Sequence, residues 1–223
     1  MTQAIIMLTR NDLTVPDALE VFHEIKDTGV SNIGFKDIGL SREKYGSLVS
    51  TLKEEHMHTY FEIVSSDRQG TIQSAKVAEE LGVEYLIGGK YYKEVHQIAA
   101  TSDIHYYPYV GKIVGHPCVL EGSIEEIIAE AREYEHVGAD GLNLLAYRYR
   151  GDIKTLMRRM QSAVNMPMII AGSVDSILKI RFLVQSNISA FTIGTALFEK
   201  SLLPKGSLRD RVQAVLRAAN AIR

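Results

Sequence analysis

Glu62 stands inside the apolar run Thr59-Tyr60-Phe61-Glu62-Ile63-Val64. A carboxylate there needs a partner or a raised pKa, and a raised pKa suits a general base at neutral pH. The competing role is packing, as the partner of Lys36. Lys36-Asp37, in GFKDIG, sets a lysine beside a carboxylate. Such a pair serves as a proton shuttle, as a Schiff-base nucleophile once desolvated, or as a solvated ion pair without chemistry. His116 lies in GKIVGHPCVLEG, held by a glycine and Pro117. Histidine titrates near neutrality. Lone histidines are mostly structural, so its loop singles this one out. Asn143 interrupts Leu142-Asn143-Leu144-Leu145; facing inward it would hold a hydroxyl or an enolate oxygen, but parity along the strand is open. Glu62, Lys36, His116 and Asn143 form the candidate catalytic set.

A second set suits an anion. The run Met168-Ile169-Ile170-Ala171 ends in Gly172-Ser173, and a later one ends in Gly194-Thr195, directly before a helix start at Ala196-Leu197-Phe198. Two such turns at the carboxyl ends of adjacent parallel strands gather backbone N–H groups at one edge, where phosphate is the usual guest. Tight βα turns alone also ask for glycine. Arg148, in AYRYR, either clamps an anion or is a surface charge before a helix. Lys90, after Gly88-Gly89, either faces the same pocket or sits on a surface helix with Tyr91 and Tyr92. Asp175 reads as the cap of the next helix.

Short apolar runs alternating with helical patterns must position these groups, which is the sequence form of βα units and a parallel sheet. Strands are expected at 4–8, 31–38, 59–64, 84–87, 104–110, 141–146 and 168–171, with the eighth ending at Gly194. Ser41 and Ser123 cap helices. Pro108 is awkward inside its strand, and Gly111–Gly122 reads as a long irregular loop of the kind that is usually functional. Eight alternations predict an α/β fold, a (β/α)₈ TIM barrel, as one domain over 1–223 with a C-terminal helix from Leu208 to Ile222. In a barrel, catalytic side chains come from the carboxyl ends of strands.

The 223 residues carry a net charge of −2 with Lys and Arg scattered, which argues against nucleic acid as the partner. A single cysteine, Cys118, excludes an intramolecular disulfide and suits a reducing cytoplasm. The start lacks a signal-peptide pattern and no run approaches membrane-spanning length. Metal-ligand spacings are missing, so neither a metal nor another cofactor is expected. Whether the chain forms a homo-oligomer is left open.

Ile170-Ala171-Gly172-Ser173-Val174 with Phe191-Thr192-Ile193-Gly194-Thr195-Ala196-Leu197 resembles the phosphate motif of the ribulose-phosphate-binding TIM barrels. These include histidine- and tryptophan-biosynthesis isomerases, sugar-phosphate epimerases and phosphogluconate-type aldolases. The resemblance implies a phosphate held by the backbone around Gly172, Ser173, Gly194 and Thr195. No specific member is matched. Ser173 replaces the usual second glycine, strand six lacks the aldolases' Schiff-base lysine, and the decarboxylases' DxKxxD and the metal-dependent epimerase pattern are absent. Asp12 and His116 match the isomerases' acid and base at strands one and five only loosely. The expectation is a metal-independent enzyme acting on a small phosphorylated sugar or keto acid, an isomerase or lyase working through an enediol or enolate. Glu62 would move the proton, Lys36 and Asn143 would stabilise oxyanion charge, and His116 would be a second acid/base. The alternative is a non-catalytic barrel sensing a phosphorylated metabolite, for which a barrel regulator of glycerol-uptake operons is a similar case.

Overall fold

The computed structural model describes residues 2–65, 67–115, 118–199, 202–203 and 205–221. Among them, eight parallel strands form the barrel: β1 (Gln3–Met7), β2 (Asn32–Lys36), β3 (His58–Ile63), β4 (Tyr85–Gly88), β5 (His105–Tyr107), β6 (Leu142–Leu144), β7 (Met168–Ile170) and β8 (Ala190–Ile193). The sheet runs β6-β7-β8-β1-β2-β3-β4-β5. Its ends meet through one bridge, Tyr109 to Asn143. There the Asn143 N–H donates to the Pro108 carbonyl at 2.9 Å and the Val110 N–H to the Asn143 carbonyl at 3.2 Å. Pro108 lies just past β5, so its missing N–H costs the closing seam one bond instead of breaking a central strand. The expected (β/α)₈ barrel is the fold.

The helices are α1 (Ala18–Ile25), α2 (Arg42–Glu54), α3 (Arg68–Leu81), α4 (Lys93–Thr101), α5 (Ile124–His136), α6 (Ile153–Ala163), α7 (Ile177–Gln185), the short α8 (Thr195–Phe198) and α9 (Leu208–Ala219). Ser41 caps α2, and Ser123 with Glu126 forms a capping box on α5. Both satisfy N–H groups that a helix start leaves without partners. Among the described residues, no helix is long and apolar enough to cross a membrane.

Two-residue alternation along the strands sorts the barrel into layers. Phe35, Phe61, Leu86 and Phe191 face the helices. Ile5, Met7, Tyr60, Ile87, Ile169 and Ala190 fill the interior. Paired residues of parallel strands share a face, so the pairing of Lys36 with Glu62 and of Glu62 with Ile87 turns both charged side chains inward. The pairing of Asn143 with Ile169 turns the amide inward too.

Two local expectations are corrected, and one element joins them. After β1 the chain is a hairpin, Thr9–Arg10 against Leu13–Thr14, whose turn residues Asn11 and Asp12 are both left-handed at φ 51° and 61°. That backbone matches the twist of a two-residue hairpin, and it delays α1 to Ala18. The segment 111–122 is not irregular: Lys112–Val114 pairs antiparallel with Val119–Glu121. Ser176, not Asp175, caps α7, and Asp175 pairs with Lys179 instead.

Gly141 precedes β6 where a Cβ would stand 2.1 Å from Tyr107 Cε1 and 2.7 Å from the Pro167 carbonyl oxygen. The backbone contact cannot swing away. Gly141→Ala is expected to destabilise the fold by about 1–3 kcal/mol, read as a lowered urea midpoint; an unchanged midpoint would contradict this packing.

Candidate functional site

At the carboxyl ends of the strands the barrel opens into a cavity of about 490 Å³. On one wall the Lys36 ammonium lies 2.9 Å from Asp12 Oδ1 and 3.8 Å from Glu62 Oε2. The Lys36 and Glu62 side chains are only 12% and 8% exposed. The Tyr109 hydroxyl donates a short hydrogen bond to Glu62 Oε1. Glu62 is therefore paired, as a buried carboxylate must be. Burial pulls the Lys36 pKa down, but Glu62 and the hydrogen-bonded Asp12 raise it by more, leaving it above 10.5. Lys36 is a fixed cation, which suits charge stabilisation and not imine formation. Burial, then the Glu62 charge, pushes the Tyr109 phenol well above its ordinary value, so it stays a proton donor.

Adjacent strand residues point to opposite faces, so Asp37 leaves the site. Its carboxylate accepts from the Val64 N–H at 3.1 Å and the Ser74 hydroxyl at 2.5 Å. The Lys36-Asp37 ion pair does not form; the hairpin supplies Asp12 in its place.

Arg148 and the two glycine turns line the same cavity. A 3₁₀ turn at Ala146–Arg148 follows β6 and lays the guanidinium on Gly172-Ser173. A Cβ on Gly172 would stand 2.7 Å from Arg148 Nε. Ser173 keeps a left-handed φ of 55°, and its hydroxyl accepts from Arg148 Nε at 3.3 Å. Serine in place of the second glycine thus holds the arginine. Lys179 braces the turn from below, donating to the Ser173 carbonyl at 2.7 Å. At the other turn, a Cβ on Gly194 would stand 2.4 Å from Thr9 Oγ1. Buried Arg211 of α9 donates to the Leu197 carbonyl and, at 2.9 Å, to the Gly206 carbonyl, which fixes α8 behind Thr195.

Lys36, Glu62, Arg148, Gly172, Ser173, Gly194 and Thr195 meet in this cavity. Lys90 does not. Gly88 and Gly89 are both left-handed, at φ 79° and 63°, and turn the chain outward, where Lys90 lies 3.9 Å from Glu130. Asn143 faces the barrel interior, fully buried, with neither amide atom hydrogen-bonded, and does not line the cavity. His116 lies outside the described residues. Tyr109 was not among the candidates, since Tyr107-Pro108-Tyr109 reads as aromatic core; its signal was the inward parity it shares with Tyr107. Cys118 also lines the cavity, its thiol pKa raised by burial against the pull of Lys36 and Arg148.

No family model and no curated protein matches the chain. Solved structures do. Orotidine 5'-phosphate decarboxylase from Pyrococcus horikoshii OT3 is 12% identical, with TM-score 0.72, covering 99% of this chain and 100% of that one. 3-Hexulose-6-phosphate synthase from Salmonella typhimurium is 14% identical, with TM-score 0.72 and 98% of both chains covered. Phosphoribosylanthranilate isomerase from Thermotoga maritima is 13% identical, with TM-score 0.67 and 98% of both covered. These similar structures are phosphate-binding TIM-barrel enzymes, and at such identity the likeness establishes the fold.

Two outcomes follow from the cluster. Tyr109→Phe leaves Glu62 Oε1 without its donor and is expected to cost about 1–3 kcal/mol, measured by denaturant unfolding; a neutral substitution would mean the phenol does not hold the carboxylate. The folded pKa of Lys36 exceeds its unfolded value, so its stabilisation is complete below pH 10.5 and is lost as pH rises through the folded pKa. Lys36→Met should flatten the fall of stability above that pH, and an alkaline limb identical to wild type would refute the linkage.

Proposed function

We propose that the chain is an enzyme acting on a small phosphorylated sugar or keto acid by proton transfer next to a carbonyl, through an enediol or enolate. The observation that carries this reading is one cavity holding a buried, lysine-paired carboxylate together with an arginine laid on a glycine turn. Arg148 and the backbone of Gly172, Ser173, Gly194 and Thr195 take the phosphate, the arginine by charge-assisted hydrogen bonds. The carbonyl end lies toward Glu62. There the Glu62 carboxylate removes the proton from the carbon beside the carbonyl. The negative charge moves to the carbonyl oxygen, which faces the Lys36 ammonium. Returning the proton to the former carbonyl carbon, with the hydroxyl proton passing to the other oxygen, completes an isomerisation. In lysis Glu62 instead takes the proton of the hydroxyl one carbon further out, the carbon–carbon bond breaks, an aldehyde leaves, and the bond's electron pair forms the enolate, which is then protonated on carbon.

The protonated Lys36 favours this chemistry over a Schiff base, which needs a neutral amine. The Lys36 ammonium already stands between Asp12 and Glu62, so the reading includes no metal. A barrel that only sensed phosphate would need the arginine rim and not the desolvated charges on the opposite wall, which favours the enzyme over a regulator.

The test is solvent deuterium incorporation, followed by NMR, across a panel of pentulose, hexulose and deoxy-keto-acid phosphates. Wild type should exchange the proton beside the carbonyl of at least one. Glu62→Gln should lower that rate by roughly 10²–10⁴, and Arg148→Ala should weaken binding of the same substrate with a smaller effect on saturated exchange. A rate untouched in Glu62→Gln sinks the proposed base, and a panel that binds without exchange makes the chain a sensor.

A further inference from the structure

The barrel has a second cavity, at the amino-terminal ends of its strands, of about 660 Å³. That mouth is usually a packed layer, and activity belongs at the other end. Here the filling is lopsided. β3, β4 and β5 contribute Tyr60, Tyr85 and Tyr107, while the facing wall offers Ser189, Ala190 and Ala219. Large rings against small side chains leave a slot instead of a packed core.

The aromatic wall is ordered. The Tyr60 and Tyr85 rings stack with centroids 4.3 Å apart and planes 10° from parallel, and Tyr107 tilts against Tyr85 at 6.1 Å and 60°. Tyr60 is 3% exposed, and its hydroxyl donates to Asn32 Oδ1 at 3.4 Å, so one member of the stack is pinned from behind. Burial holds the Tyr107 phenol pKa up at about 12, so that hydroxyl is neutral. Ile169, Val184 and Ile188 supply apolar lining, and the polar groups are hydroxyls and side-chain amides, such as those of Thr2, Gln3 and Asn220. Among the described residues, no Asp, Glu, Lys or Arg lines this cavity. The upper cavity, with Lys36, Asp12, Glu62 and Arg148, is its electrostatic opposite.

We propose that this lower cavity is a second ligand site, for an uncharged planar aromatic or heteroaromatic molecule. A flat ring gains from offset or edge-on contact with the tyrosines, and its polar edge finds neutral donors and acceptors in the hydroxyls and amides. A charged ligand would be desolvated with no opposite charge among the described lining residues to receive it. The size falls within the range of small-molecule pockets. The site stands independently of the reaction at the upper end.

The chain has no tryptophan, so the emission of added indole is read without background. Titration of the full chain with indole is expected to give a saturable blue shift that cyclohexanol, of similar size but not planar, and benzoate, planar but charged, displace far less well. Ala190→Leu, which fills the slot, should abolish the shift. Tyr85→Ala should weaken it about tenfold, and serves as the second variant should the leucine disturb folding by circular dichroism. Arg148→Ala, at the other end, should bind indole like wild type. No saturable shift in wild type, equal displacement by benzoate, or undiminished binding by a folded Ala190→Leu or Tyr85→Ala protein would each overturn the site.

Discussion

Taking Lys36 and Glu62 out of water is the constraint on which the upper half of this barrel depends. Neither charge is tolerable alone at such burial, and removing one partner from a buried pair typically costs several kcal/mol. Satisfying both draws on separate parts of the chain. Lys36 and Glu62 pair near the carboxyl ends of neighbouring strands β2 and β3, Asp12 comes from the hairpin after β1, and Tyr109 from just beyond β5. The left-handed turn at Asn11-Asp12 also sets the Asp12 carboxylate 2.9 Å from the Lys36 ammonium. Barrel closure thus decides whether the cluster is satisfied, and the cluster in turn fixes where charge can be met in the cavity.

The Arg148 wall of the cavity obeys a different logic. It is held by close approach: Gly172 lets a guanidinium lie on the backbone, Gly194 admits Thr9, and Arg211 anchors the carbonyls behind α8. Few of these contacts involve desolvated opposite charges. The wall is shaped by sterics and polar contacts, whereas the opposite wall is shaped by charge neutralisation. A phosphorylated substrate has the same division, with a permanently charged end and an end where charge appears only during reaction.

What could be read from sequence follows from how local each signal is. The strand–helix alternation, the serine caps and the Gly172 and Gly194 turns are local, and the fold and the glycine-turn side of the cavity are legible from them. Glu62 stood out because a carboxylate between Phe61 and Ile63 violates its own surroundings. Its partners were harder: Asp37 is next to Lys36 in sequence and yet on the other face, while Asp12 is 24 residues away and beside it. Lys90 misled because two left-handed glycines reverse a direction that spacing cannot encode. Tyr109 hid among tyrosines whose aromatic character says core until the register shows which way each ring turns. Asn143 needed that same register before its inward aim was known.

The seam between β5 and β6 has one more implication. The other seven junctions of the ring are ladders between described strands, whereas this one is held by the bridge beside Pro108 and by the Asp140 N–H donating to the Tyr106 carbonyl at 3.1 Å. The two residues of that bridge are Tyr109, which steadies the buried carboxylate, and Asn143, whose amide is left unsatisfied. The closing seam of the barrel therefore carries the phenol that holds Glu62, and a molecule pressing on that phenol from the cavity also presses on the seam.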